Sequence, residues 1–220
     1  MVYEHEEIER GDPMERKITY FEDMGSQNTE ATFKLVKERL ELSKIQKLVI
    51  ASTTGETARK ALDFFGGKGV QLVIIPHQFG FKRENKFPQE LVKELHEAGH
   101  RVHFGTMLFH TDGLYASNAP SLIANVLRCF SQGVKVCFEI VMMAADAGLL
   151  AEGETVIAIA GTGMGSDTAM SMRAASSQHM RKIRVHEIIC KPLNPISIDE
   201  IIEAAKQERA QGDYDFRLSN

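Results

Sequence analysis

The chain has 220 residues, of which 43% are hydrophobic and 25% charged, an ordinary globular composition that is enough for one large domain with a full core. Its 26 Lys and Arg against 30 Asp and Glu give a net charge of −4, so nothing in the balance favours nucleic acid or an anionic membrane as a partner. There is no run of 18 apolar residues and no apolar segment behind the acidic start, which argues against a membrane span and a signal peptide; Cys129, Cys137 and Cys190, an odd set without CxxC spacing, suit reduced thiols in a cytoplasmic protein and no metal cluster.

Asn28-Thr29-Glu30 opens a helix whose apolar positions Ala31, Leu35, Leu40 and Leu42 recur near helical spacing. Residues 47–51 read as the first strand. A short helix over 56–65 ends at Gly66-Gly67, a C-terminal cap signal. Residues 70–75 form the second strand, 88–98 a helix stopped by Gly99, and 100–104 a weaker third strand. Two strongly apolar helices follow over 120–130 and 134–147, separated at Gly133. Residues 155–160 are the fourth strand, and 166–180 are expected to be helical. The alternating run 183–189 suits a fifth strand at an edge, and a helix over 198–210 closes the chain. The first, second and fourth strands are short unbroken apolar runs, as strands covered on both faces require. The whole of 1–220 reads as one α/β domain with a mostly parallel sheet and with loose ends at about 1–17 and 213–220.

Two polar loops stand out in that frame. The first strand runs into Ser52-Thr53-Thr54-Gly55-Glu56-Thr57, and the fourth into Gly161-Thr162-Gly163-Met164-Gly165-Ser166-Asp167-Thr168. A strand that ends in Gly, Ser and Thr at a helix start gathers unpaired N–H groups and hydroxyls, which is the chemistry of an oxyanion site, usually a phosphate. Four hydroxyls within residues 52–57 exceed what a helix cap needs. The second loop is GxGxG; it is neither the GxGxxG dinucleotide fingerprint nor a P-loop. Its Asp167 could cap the following helix or bond a ribityl or sugar hydroxyl, and a glycine turn needed only for close packing is the plain alternative. If the first and fourth strands are neighbours, both loops line one crevice at the topological switch point.

Other rim candidates are His77 and Phe79 after the second strand, as hydrogen-bonding and ring-stacking groups, and Gly105-Thr106 after the third. Gly25 to Thr29 could bring a further helix N-terminus, with capping alone as its simpler role. Glu139 and Asp146, seven apart, fall on one helix face where carboxylates could do acid–base work, but Lys135, four before Glu139, makes an ion pair equally plausible. No GxSxG nucleophile motif occurs, and the eight histidines are dispersed along the chain and do not point to a metal.

At Ser52-Thr53-Thr54-Gly55-Glu56-Thr57-Ala58-Arg59 the sequence resembles the polar loop of the pyruvate kinase C-terminal domain, which holds a phosphate of the allosteric effector, and Gly165-Ser166 resembles its later effector loop. More closely, Gly25-Ser26-Gln27-Asn28-Thr29-Glu30, residues 51–58, Met143-Ala144-Ala145-Asp146-Ala147-Gly148 and Ala158-Ile159-Ala160-Gly161-Thr162-Gly163 resemble stand-alone archaeal and bacterial proteins classed with that domain. The resemblance covers roughly 18–195. It implies a three-layer α/β/α fold with five strands in the order 3-2-1-4-5, the last antiparallel, and a bound phosphorylated ligand, with flavin mononucleotide (FMN) as the candidate. Pyruvate kinase activity is not implied, because 220 residues in this pattern leave no room for the catalytic (β/α)₈ barrel. Glu56 and Asp167 depart from the resembled loops in ways that disfavour a sugar bisphosphate. The expectation is a binder of a phosphorylated cofactor or nucleotide; the alternatives are an enzyme acting on a small phosphorylated metabolite, with Glu56, Asp167 or His77 as acid–base groups, and a regulatory or assembly module that forms a homo-oligomer.

Overall fold

A computed structural model describes residues 14–81, 85–197, 199, 200 and 203. The chain runs β1 (Thr19–Phe21), α1 (Thr29–Glu41), β2 (Lys47–Ala51), α2 (Glu56–Phe65), β3 (Gln71–Ile75), α3 (Gln89–Glu97), β4 (Arg101–Val102), α4 (Asp112–Tyr115), α5 (Ala119–Arg128), α6 (Gln132–Asp146), β5 (Thr155–Ala160), β6 (Thr168–Arg173) and β7 (Arg184–Pro192). One sheet carries all seven strands in the order β1-β7-β6-β5-β2-β3-β4. Only the pairs of β6 with β5 and with β7 are antiparallel; the other four are parallel.

The sheet separates two apolar cores because side chains alternate across a strand. Leu48 and Ile50 of β2 join Phe33 and Val36 of α1 and Ala58, Ala61 and Phe65 of α2 on one face. Val49 of the same strand joins Val134, Cys137 and Val141 of α6 on the other. Ile157 and Ile159 of β5 continue the first core, and Val156, Ala158 and Ala160 the second. Each fully buried Val, Leu, Ile or Phe side chain among them contributes about 1.5–3 kcal/mol relative to exposure. The α/β class, the two-sided burial and the strands at 47–51, 71–75 and 155–160 match the expectation from the sequence.

The sheet differs from the expected one in four ways. It has seven strands, since the short β1 had no sequence signal and residues 168–173 form a strand where a helix over 166–180 was expected. Ala169-Met170-Ser171-Met172 has ample helix propensity, but propensity yields to tertiary context. Gly163 and Gly165 adopt φ of +73° and +71° and turn the chain back, so β6 lies antiparallel along β5 with Ile159 opposite Ala169. The antiparallel strand is therefore β6; β7 runs parallel to β5. Nor is β7 an edge, because β1 pairs with it at Thr19–Cys190. The third strand shrinks to Arg101–Val102, as the His100 ring is drawn inward to accept a hydrogen bond from Leu72 N (3.2 Å). The helix expected over 198–210 falls almost wholly outside the described residues, as do most of both termini.

Candidate functional site

Because β2 and β5 are parallel neighbours in register Ile50↔Ile159, Ala51 and Ala160 end side by side and the two polar loops leave from adjacent carboxyl ends. From β2 the sheet winds through β3 to β4 on one side, while β5 lies on the other. The loops thus flank the point where winding reverses, the place where open α/β sheets take ligands.

The first loop is held from below and open above. Ser52 is buried: its N–H donates to Ile75 O (3.2 Å) and its Oγ accepts from Ala58 N (3.1 Å). Gly55, at φ +87°, is the N-cap of α2; a Cβ there would lie 2.8 Å from Pro88 Cδ and 2.9 Å from Leu91 Cδ2, so only glycine fits. The amides of Thr53, Thr54, Gly55, Glu56 and Thr57 have no hydrogen-bond partner among the described residues. They stand at the positive end of a ten-residue helix. Thr54 is exposed, Thr57 is buried, and Thr53 Oγ1 lies 3.2 Å from His77 Nε2. Glu56 leans along the helix to Lys60 (2.7 Å), and Arg59 pairs with Glu94.

The second loop is closed. No helix follows it, so it lacks the helix N-terminus expected there. Ser166, Asp167 and Thr168 are fully buried. Asp167 Oδ2 accepts from Gly25 N and Thr162 N, both at 3.0 Å, and Oδ1 from Thr168 Oγ1 at 2.8 Å. Ser166 N donates to Thr29 Oγ1 (3.0 Å) and Ser166 O accepts from Thr32 Oγ1 (3.2 Å). A Cβ on Gly165 would fall 2.5 Å from Ser26 Cα, and one on Gly161 2.7 Å from Gly165 O. The loop is thereby sealed onto the start of α1. The Asp167 carboxylate occupies amides that an external anion would otherwise use, and so it is no sugar-hydroxyl ligand facing the crevice. Only the outer turn, Gly163 and Met164, is exposed.

The remaining rim residues divide in the same way. Phe79 is 62% exposed and leans on Phe104 with ring centres 4.9 Å apart. His77 packs edge-on against Phe81 (5.0 Å). Gly105 is pinned, since a Cβ would lie 2.6 Å from His103 Nε2, while Thr106 is exposed. The loops after β3 and β4 are joined by Met107 N donating to Gln78 Oε1 (2.6 Å).

A polar cluster lies behind this rim, with Lys135 and Glu139 buried and His110 at the surface. Lys135 and Glu139 are almost entirely enclosed and paired at 2.6 Å. Lys135 Nζ also donates to His110 Nε2 (3.1 Å), and Glu139 Oε1 accepts from Phe109 N (2.9 Å). The ion pair between Lys135 and Glu139 is the one their spacing suggested; the part played by His110 had no sequence signal. Asp146 does not join the cluster, because its carboxylate accepts from Ser177 N (2.8 Å) beyond the far end of α6. Burial pushes the Lys135 ammonium down, with Glu139 opposing. Burial, then the Lys135 charge, takes His110 down to about 4, so its ring is neutral near pH 7. Since Lys135 donates to Nε2, that nitrogen is the acceptor and Nδ1 carries the proton.

No family model matches this chain. Among the described residues no helix is long and apolar enough to cross a membrane.

Three outcomes follow from these contacts. Asp167→Ala strands two partly buried amides and should lower stability by about 2 kcal/mol or more in urea unfolding, with Asp167→Asn, which keeps an acceptor toward both amides, losing much less. Lys135→Met leaves Glu139 buried and unpaired and should lose about 3–5 kcal/mol, part of which returns in Lys135→Met/Glu139→Leu. His110 binds its proton more readily unfolded than folded, so its contribution is complete above about pH 6.5 and lost as pH falls toward 4. Thermal midpoints of the wild type should therefore fall more steeply across that window than those of His110→Gln; parallel curves would contradict the assignment.

Proposed function

We propose that the protein binds a phosphorylated cofactor or nucleotide, with FMN as the leading candidate, in the crevice at the carboxyl ends of β2 and β5. The observation that supports this reading is the run of five amides, Thr53 to Thr57, that have no partner among the described residues at the N-terminus of α2. They share the spot with the exposed Thr54 hydroxyl and with Thr53, whose hydroxyl meets His77. That donor set fits a phosphate dianion. Glu56 is no obstacle, since its carboxylate is turned to Lys60. The exposed Phe79 face offers a platform for a flat ring, and Thr106 and Met164 border the same rim.

The phosphate role rests on the first loop. The second shapes the crevice through its Asp167-anchored turn and meets a ligand only through Thr162, Gly163 and Met164. The role is one of regulation, carriage or flavin redox chemistry. An enzyme acting on a small phosphorylated metabolite is the second reading, and His77 favours it. Glu56 is turned to Lys60 and Asp167 is enclosed, so of the three acid–base candidates His77 is the one whose ring meets a cradle hydroxyl, that of Thr53.

Titration with FMN, followed by flavin fluorescence and by thermal unfolding, tests the proposal. At a hundredfold excess over Kd, FMN should stabilise the fold by about 2.7 kcal/mol. Riboflavin, which lacks the phosphate, should bind at least about tenfold more weakly, a difference of about 1.4 kcal/mol. Thr54→Glu, which places a carboxylate among the amides, should abolish FMN binding and leave the unliganded melting temperature unchanged. An unmoved midpoint, or equal affinity for riboflavin and FMN, would reject the phosphate cradle.

A further inference from the structure

The outer surface of α4 and α5 carries an apolar patch that the ligand site does not use. Leu114 and Tyr115 of α4, Leu122 and Val126 of α5 and Phe130 just beyond it are each 51–74% exposed. Leu122, Val126 and Phe130 follow at four-residue steps, so they form one stripe along the helix. α4 packs against α5 and brings Leu114 and Tyr115 to the same part of the surface. Monomeric proteins scatter exposed apolar side chains singly; contiguous ones mark a surface that is covered in use.

The charge pattern says what covers it. A quarter of the chain is charged, yet residues 113–127 contain no Asp, Glu, Lys, Arg or His. The flanking charges are occupied internally: the Asp112 carboxylate is held by Ser121 Oγ, while Arg128 donates to Gln132 Oε1 (2.8 Å) and Asn125 Oδ1 (2.7 Å). Docking here strands no ion. Two copies of a chain with net charge −4 repel each other, and the contact that minimises that repulsion is one from which charge is absent on both sides. In a two-fold dimer the same patch must face itself, and an uncharged apolar stripe bordered by Ser117, Asn118 and Asn125 is self-complementary. Aromatic residues at the centre and neutral polar ones at the rim are the anatomy of such interfaces.

We infer that a second copy of this chain docks on the α4–α5 face, forming a two-fold dimer in which Leu122, Val126 and Phe130 of one protomer pack on the same residues of its partner.

Sedimentation across the micromolar range tests this on the full chain, and no ligand is needed, so the outcome is independent of the phosphate cradle. The wild type should sediment at twice the chain mass. Leu122→Glu/Val126→Glu should weaken self-association at least tenfold, whereas Leu42→Glu, also at an exposed apolar residue, should leave it intact. Cys129 adjoins the stripe and is exposed, whereas Cys137 and Cys190 are buried. Alkylation of Cys129 by N-ethylmaleimide in the unmutated protein should therefore slow as protein concentration rises, a readout that holds even if the double variant misfolds. A monomer at every concentration overturns the inference, whether or not Cys129 is shielded by the chain's own residues 198–220. A dimer that survives the double substitution, or one in which Cys129 alkylates at a concentration-independent rate, overturns it as well.

Discussion

The carboxylate of Asp167 holds the carboxyl end of the sheet together. It is fully buried with no ion-pair partner among the described residues, and three hydrogen bonds from Gly25 N, Thr162 N and Thr168 Oγ1 take the place of water. The N-terminal turn of α6 adds a favourable dipole: a Cβ on Gly133 would lie 3.1 Å from Asp167 Oδ1. One side chain thus ties the segment before α1, the turn between β5 and β6, and the start of α6. Those elements come from three distant parts of the sequence.

The two polar loops look alike in composition and behave in opposite ways. In the first, the buried group is a neutral serine that satisfies two backbone partners and leaves five amides over. In the second, the buried group is itself an anion, and it uses the amides. The polarity of such a loop does not by itself predict a ligand site; what decides is whether the protein supplies its own negative charge. The cluster of Lys135, Glu139 and His110 follows the same logic deeper in the fold, since the Glu139 carboxylate fixes the 105–112 segment through Phe109 N while neutralising Lys135.

Much of the fold was legible because short unbroken apolar runs such as 47–51 and 155–160 demand two-sided cover, and because Gly66-Gly67 and Gly99 end their helices. Gly55 was legible as a turn before a helix. What could not be read was residue 168–173 as a strand: Thr168-Ala169-Met170-Ser171-Met172-Arg173 has no period of two to expose, since both of its faces are buried. The glycines at 163 and 165 carried the missing signal, as a reversal needs two positive φ angles that a simple strand-to-helix passage does not. Strand β1 was invisible because three residues, two of them only partly buried, leave no pattern. His110 was missed because its partners lie 25 and more positions away.

The pairing of β1 with β7 has a consequence for how the molecule is made. Thr19 is translated long before its partner Cys190, which follows only after nearly the entire sheet. At ~5–20 residues per second the interval is roughly 10–30 s. During that interval β2, β3 and, near its end, β5 become available to assemble while β1 stays unmatched. The sheet is then completed when an early strand is captured by a late one, a closing clasp whose timing is set by synthesis and not by the intrinsic speed of folding.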